Sequence, residues 1–379
     1  MTAPNPTSIA DPSLLSLANE TLSHVSFFLS DDTDGFISFM LTCRRLDGAA
    51  AFVRYTSLLI EGAKGRRLMA ALLSGSETSQ RYRLLVKRIW FRGYHEKEMM
   101  VGAGLLAEVM QHTVNLVALW IETSMADTGP ITERMKRRGI VRVRKHPAYS
   151  IEAVNEEGGV AVPIILPRFS HYRISGDSSL LSLAHHRCLT ELELCHMLDD
   201  DAFAKFLEEA ENTNLGNHLE MLTIKVASSL DIKLSMYLLS DSFPSLRGLS
   251  VDQTSLDMTT MIKMLGEPIP AFPNLRHCTL NRLYNYRLTN GLKHPLLAGL
   301  NRSAAAKLLS AVASNHKFLE MLGLGRNLFY VGRDGGYEHR LLMESDEVWG
   351  KVFGKQFRSF SSPVAFAYSD TETNLYDPE

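Results

Sequence analysis

The chain has 379 residues, of which 45% are apolar and 22% charged, and its formal net charge is −2. That length exceeds one compact unit, the composition suits an ordered protein with a large core, and the near-neutral charge gives no global reason to expect a nucleic-acid or membrane partner. Cys43, Cys188, Cys195 and Cys278 stand far apart with no C-x-x-C pair. That spacing argues against a disulfide framework or a structural zinc site and points to a reduced, intracellular protein.

Residues 1–11 lack a basic n-region and a long apolar core, so they read as a disordered start rather than a secretory signal. No run of about 18 apolar residues occurs, which leaves a soluble protein of cytosol or nucleus as the expectation.

Residues 12–60 carry apolar positions at helical spacing in three short bursts. In "LANETLSHVSFFLS", Leu22, Val25, Phe28 and Leu29 fall at intervals of three and four. The break "SDDTDG" offers carboxylates to cap a second helix, "FISFMLTCRRL", with Phe36, Phe39, Met40 and Cys43 on one side. An alanine-rich third element, "GAAAFVRYTSLLI", follows. Three short helices bury little apolar area alone, so a partner is expected.

Three pieces of this segment, Leu17-Ala18-Asn19-Glu20-Thr21-Leu22, Cys43-Arg44-Arg45-Leu46 and Phe52 to Ile60, resemble the F-box, the adaptor-binding module of cullin-RING ubiquitin ligases. Ala18 departs from the pattern, which has proline there. The resemblance implies a Skp-family adaptor and a cullin complex as partners. It also implies a docking set of Leu17, Glu20, Leu22, Val25, Phe28, Leu29, Phe36, Phe39, Met40, Cys43 and Leu46.

Over residues 80–330 the phrase apolar-x-x-apolar-x-apolar recurs at Val86, Leu116, Phe169, Leu189, Leu219, Leu246, Leu275 and Leu319, often 27 to 30 residues apart. Helical segments such as "GLLAEVMQHT" and "DDDAFAKFLEEAE" lie between the phrases, the latter with Asp199 to Asp201 placed to cap it. The pattern resembles an irregular leucine-rich-repeat horseshoe, an α/β solenoid, with a doubly wound α/β domain as the structural alternative. A basic insertion near 125–165 includes "ERMKRRGIVRVRKH", with seven Lys/Arg in fourteen positions, and residues 331–379 read as a cap with an acidic disordered tail.

Residues flanking the inward leucines point to the opposite face of such a sheet. Arg88, Trp90, Arg92, Trp120, Glu122, Glu191, Glu193, Lys225, Asp252 and His277 are therefore the candidate target-binding residues, with Trp90 and Trp120 side by side. His185-His186 with Cys188 lacks the further ligand a closed metal site needs. No catalytic, metal or cofactor residue is assigned. The expected function is that of a non-catalytic substrate receptor, and the alternative is a stand-alone protein-interaction scaffold.

Overall fold

The computed structural model describes residues 14–29, 32–93, 96–123, 128–141, 165–213, 215–253, 272–280, 318–324, 327–331 and 337–341. A 3-10 turn at Leu14–Ser16 leads into α1 (Asn19–Phe28), α2 (Thr33–Thr42) and α3 (Arg44–Thr56). The Asp32 carboxylate accepts the Gly35 N–H at 3.1 Å and caps α2, the task expected of the acidic break. Cys43 is extended (φ −164°, ψ 165°) and separates α2 from α3. It therefore does not continue the Phe36 side of the second helix, and Cys43 to Leu46 opens the third. Leu22, Phe36, Phe39, Leu46, Ala49 and Ala50 close a small core between the three helices.

From α3 the chain passes directly into β1 (Ser57–Glu61). The sheet continues through β2 (Arg88–Gly93), β3 (Ala118–Thr123), β4 (His171–Ser175), β5 (Glu191–Leu198), β6 (Met221–Val226), β7 (Gly248–Gln253), β8 (His277–Leu280) and β9 (Met321–Leu324). These nine strands are parallel and lie side by side in chain order. Two antiparallel strands, β10 (Asn327–Val331) and β11 (Tyr337–Leu341), extend the edge.

The described connections hold α4 (Gly62–Leu72) and α5 (Glu77–Leu85), then α6 (Glu96–His112), α7 (Gly129–Arg137), a 3-10 helix at Ser178–Leu183, α8 (Asp200–Asn212), α9 (Leu215–His218) and α10 (Ile232–Ser242). Parallel crossovers are right-handed, so an order that never reverses places all of these on one face of the sheet. Toward that face point Leu58, Ile60, Ile89, Phe91, Leu119, Ile121, Tyr172, Ile174, Leu192, Leu194, Leu222, Ile224, Leu249 and Val251, each at most 3% exposed. Burial of each such side chain contributes about 1.5–3 kcal/mol, and this row forms the main core.

The leucine-rich-repeat horseshoe is corrected by this architecture. The described residues form an α/β fold with a nine-stranded parallel sheet and no repeat solenoid. All eight sequence phrases do end in strands, because any parallel strand covered on one side needs apolar residues at alternate positions. The phrase carries no information about the connections, which are unlike one another: two helices between β1 and β2, one between β6 and β7, a 3-10 helix between β4 and β5. Nor is the sheet doubly wound, since its order has no reversal and hence no switch-point crevice.

The sheet begins at Ser57, earlier than the expected boundary near 80. Two further segments with helical spacing between the phrases, "TTMIKMLGE" (259–267) and "SAAAKLLSAVASNH" (303–316), lie outside the described residues, as do most of the basic insertion and residues 342–379 of the expected cap and tail; within that cap, Tyr337–Leu341 is strand β11. Among the described residues no helix is long and apolar enough to cross a membrane.

Candidate functional site

Two surfaces gather the residues singled out from the sequence. The first is the N-terminal module. Of the expected docking set, Leu22, Phe36, Phe39 and Leu46 are at most 7% exposed and form the module's own core, so no partner reaches them while it is folded. Leu17, Val25, Leu29, Met40 and Cys43 are half-buried around that core. Glu20 is exposed, and Phe28 is 80% exposed.

Phe27, Leu41, Leu14 and Leu15 add to the outer apolar surface, with Leu41 at 80%. Helical spacing could have found Leu41, which stands two places after Phe39 and hence on the other side of α2. Arg45 is committed internally. Its guanidinium donates to the Leu15 and Leu17 carbonyls and, at 3.0 Å, to Asn19 Oδ1, which ties the 3-10 turn to α3.

The second surface is the sheet face away from the helices. Strand register sets Leu59, Trp90, Trp120, Arg173 and Glu193 in one row across β1 to β5. The indoles of Trp90 and Trp120 stack with centroids 3.9 Å apart and planes 4° from parallel. The Arg173 guanidinium lies 3.9 Å from the Trp120 centroid and that of Arg92 lies 5.3 Å from Trp90.

Polar groups then fix this stack. Trp90 Nε1 donates to Glu122 Oε2 at 3.0 Å, and Arg92 bridges Glu122 (3.5 Å) and Glu61 (3.8 Å). Arg88 Nε donates to Ser57 Oγ at 2.7 Å. Arg173 pairs with Glu193 at 3.4 Å and donates to Cys195 Sγ at 3.3 Å. Burial first and the Glu193 charge second push the Cys195 thiol up, so it stays protonated and inert.

A neighbouring row carries His171 beside Glu191, with Nε2 at 3.6 Å from the carboxylate and Nδ1 at 2.8 Å from Ser170 Oγ. Burial pushes His171 down to about 4, so the ring is neutral near pH 7. Glu191 and Glu193 are 8% and 7% exposed, which makes them supports of the surface rather than contacts. Lys225 sits opposite Asp252 in register, and His277 lies 3.8 Å from Glu320, three strands and more from the tryptophans.

The ten candidate residues therefore share one face, and among the described residues they close no pocket. His171 and Arg173 join them from β4. Their positions in the phrase Phe169-Ser-His-Tyr-Arg-Ile174 match those of Arg88 and Trp90, so the sequence signal for them existed. Elsewhere, His185 pairs with Glu209 at 3.5 Å, and among the described residues no three His, Cys, Asp or Glu side chains gather as metal ligands. Compared with known proteins, the chain matches no family model and no curated sequence, and these two surfaces are what its function is read from.

Proposed function

We propose that the chain is a non-catalytic substrate receptor of a Skp-cullin-F-box ubiquitin ligase. The helices α1 to α3 dock on the Skp-family adaptor, and the open face of the sheet around Trp90 and Trp120 holds a target protein. The observation that supports this most is a three-helix module with its own small core that leaves Phe28 and Leu41 each 80% exposed. Apolar side chains kept in water at that level favour a partner surface. The sequence resemblance over Leu17 to Ile60 gives the partner its identity.

The target surface suits the role because its indoles are rigid and its charges are already paired, so little order is lost on binding. The receptor contributes proximity: it raises the concentration of target lysines near the conjugating enzyme and makes no bond itself. Its working compartment is cytosol or nucleus, where such ligases operate.

Co-expression with the adaptor followed by size-exclusion chromatography tests the reading. The wild-type chain co-elutes, and Phe28→Asp combined with Leu41→Asp abolishes co-elution while thermal unfolding is unchanged. Leu22→Asp, by contrast, unfolds the module. A wild-type chain that elutes without the adaptor would sink the ligase role and leave a protein-interaction scaffold built on the sheet face.

A further inference from the structure

The charges of the target surface are paired with one exception, Arg88. The guanidinium of Arg92 lies between Glu122 and Glu61, that of Arg173 beside Glu193, and Lys225 stands opposite Asp252 in register. Arg88 is half-buried at the start of β2, donates from Nε to Ser57 Oγ at 2.7 Å, and has no ion pair among the described residues. Burial pushes its guanidinium below the ordinary value, and no carboxylate acts against that shift.

Strand geometry explains why none does. Glu61 and Glu122 lie in the row of Arg92, four residues further along, and Glu191 lies in the row of Arg88 but three strands away. At about 3.3 Å per residue and about 4.8 Å per strand, those positions are about 13 Å and about 14 Å from Arg88. Both exceed the distance over which exposed charges act in physiological salt, about 8 Å. The four carboxylates on this face of β1 to β5 therefore outnumber its three arginines without neutralising Arg88.

Unspent hydrogen-bond donors surround that charge. A guanidinium carries five N–H donors in a planar fork, and Ser57 takes one of them. Because Ser57 Oγ accepts that bond, its own hydroxyl hydrogen remains to donate to the same anion. The next row on this face sets Leu59 opposite Trp90, both half-buried, about 6.6 Å further along the strands. An anion site and an apolar site thus stand one side-chain repeat apart.

We infer that the open face recognises an extended segment of the target in which a carboxylate side chain stands two residues from an apolar one. The inference rests on the receptor reading above and names the chemistry of its target. The carboxylate takes the Arg88 fork and the Ser57 hydroxyl, and the apolar side chain covers Leu59 and Trp90. An extended chain supplies the matching two-residue repeat. One guanidinium balances one carboxylate, whereas a phosphate group brings about 1.5–2 negative charges and leaves the excess uncompensated. A nucleic acid needs several cations in file, and the next ones here are already paired.

The test offers the full chain a phage-displayed library of random peptides. Selected peptides carry Asp or Glu two places from an apolar residue. With one such peptide, fluorescence anisotropy shows that replacing its acid by the amide costs at least about tenfold in affinity on the wild type and nothing on Arg88→Gln. Selection on Arg88→Glu exchanges the acid for Lys or Arg, which a merely structural role of Arg88 would not give. Circular dichroism confirms that the variants stay folded. Binders that depend on Trp120 but carry no acid, or whose acid still matters on Arg88→Gln, overturn the inference and leave the receptor surface in place. Binders indifferent to both Trp90→Ala and Trp120→Ala, or no binders at all, remove the surface and the inference with it. A phosphoserine peptide that binds more tightly than its glutamate counterpart also overturns the inference. So does affinity that rises on deletion of residues 370–379, which would make the acidic end of the chain itself the occupant.

Discussion

Ala18 shows how much one backbone angle carries. It caps α1 at φ −62° and ψ 154°, the φ that a proline ring enforces, and its carbonyl accepts the Leu22 N–H. The fold therefore holds the proline-like geometry without the proline. Ala18→Pro is expected to raise stability by about 0.4–1 kcal/mol, by restricting the unfolded chain. Chemical denaturation compares the two, and a lower midpoint in the variant would show that the ring does not fit.

His171 makes the matching argument for a side chain. Its folded value, about 4, lies below the 6.5 of a free histidine. The unfolded chain binds the proton more readily, so stability is complete above pH 6.5 and falls as pH drops through 6.5 toward 4. Between those limits the loss approaches about 1.4 kcal/mol per pH unit. Urea melts of the wild type and His171→Gln across this window should diverge, the wild type losing more. Parallel curves would mean that the imidazole is not buried as a neutral ring.

At the scale of elements, close approach decides what each position tolerates. The short helix α9 brings Gly216 against the end of α10, where an added Cβ would stand 1.9 Å from the Ser242 carbonyl oxygen. Gly216→Ala forces the two helices apart and is expected to cost about 1–3 kcal/mol, read from thermal unfolding. Helix ends follow local rules instead. Asp199 accepts the Ala202 N–H at 2.8 Å, Asp231 accepts from Lys233 and Leu234, and Ser76 accepts the Ser79 N–H at 3.1 Å. Of the three acids before "AFAKFLEEA", Asp199 accordingly caps α8, and Asp200 and Asp201 lie in its first turn, where negative charge suits the helix dipole.

For the whole molecule, the decisive joint is between the module core and the sheet core. Asp47 of α3 accepts from Arg81 at 3.0 Å and from the Tyr82 hydroxyl at 3.3 Å, both on α5. The rings of Tyr55 and Tyr82 stack at 4.1 Å, and α3 passes into β1 without a linker. Asp47→Ala should speed amide hydrogen exchange in α1 to α3 while β3 to β7 stay protected. Equal acceleration in both would mean that the two cores open as one.

The amino-acid sequence by itself determined the strands β2 to β9, their inward apolar residues and the placing of Trp90 beside Trp120. These are local properties, because the burial of one face repeats every two residues in a strand and every three to four in a helix. Tertiary structure alone decided three further things. It set nine strands in chain order as an α/β sheet rather than a repeat horseshoe, a choice made by connections that no strand phrase encodes. It turned Leu22, Phe36, Phe39 and Leu46 into core and left Phe28 and Leu41 outside, because which face a helix buries depends on where its neighbours lie. And it brought Arg173 onto Trp120 and Arg134 over Gly104, contacts between residues 53 and 30 positions apart in the chain, which only the packed fold makes neighbours.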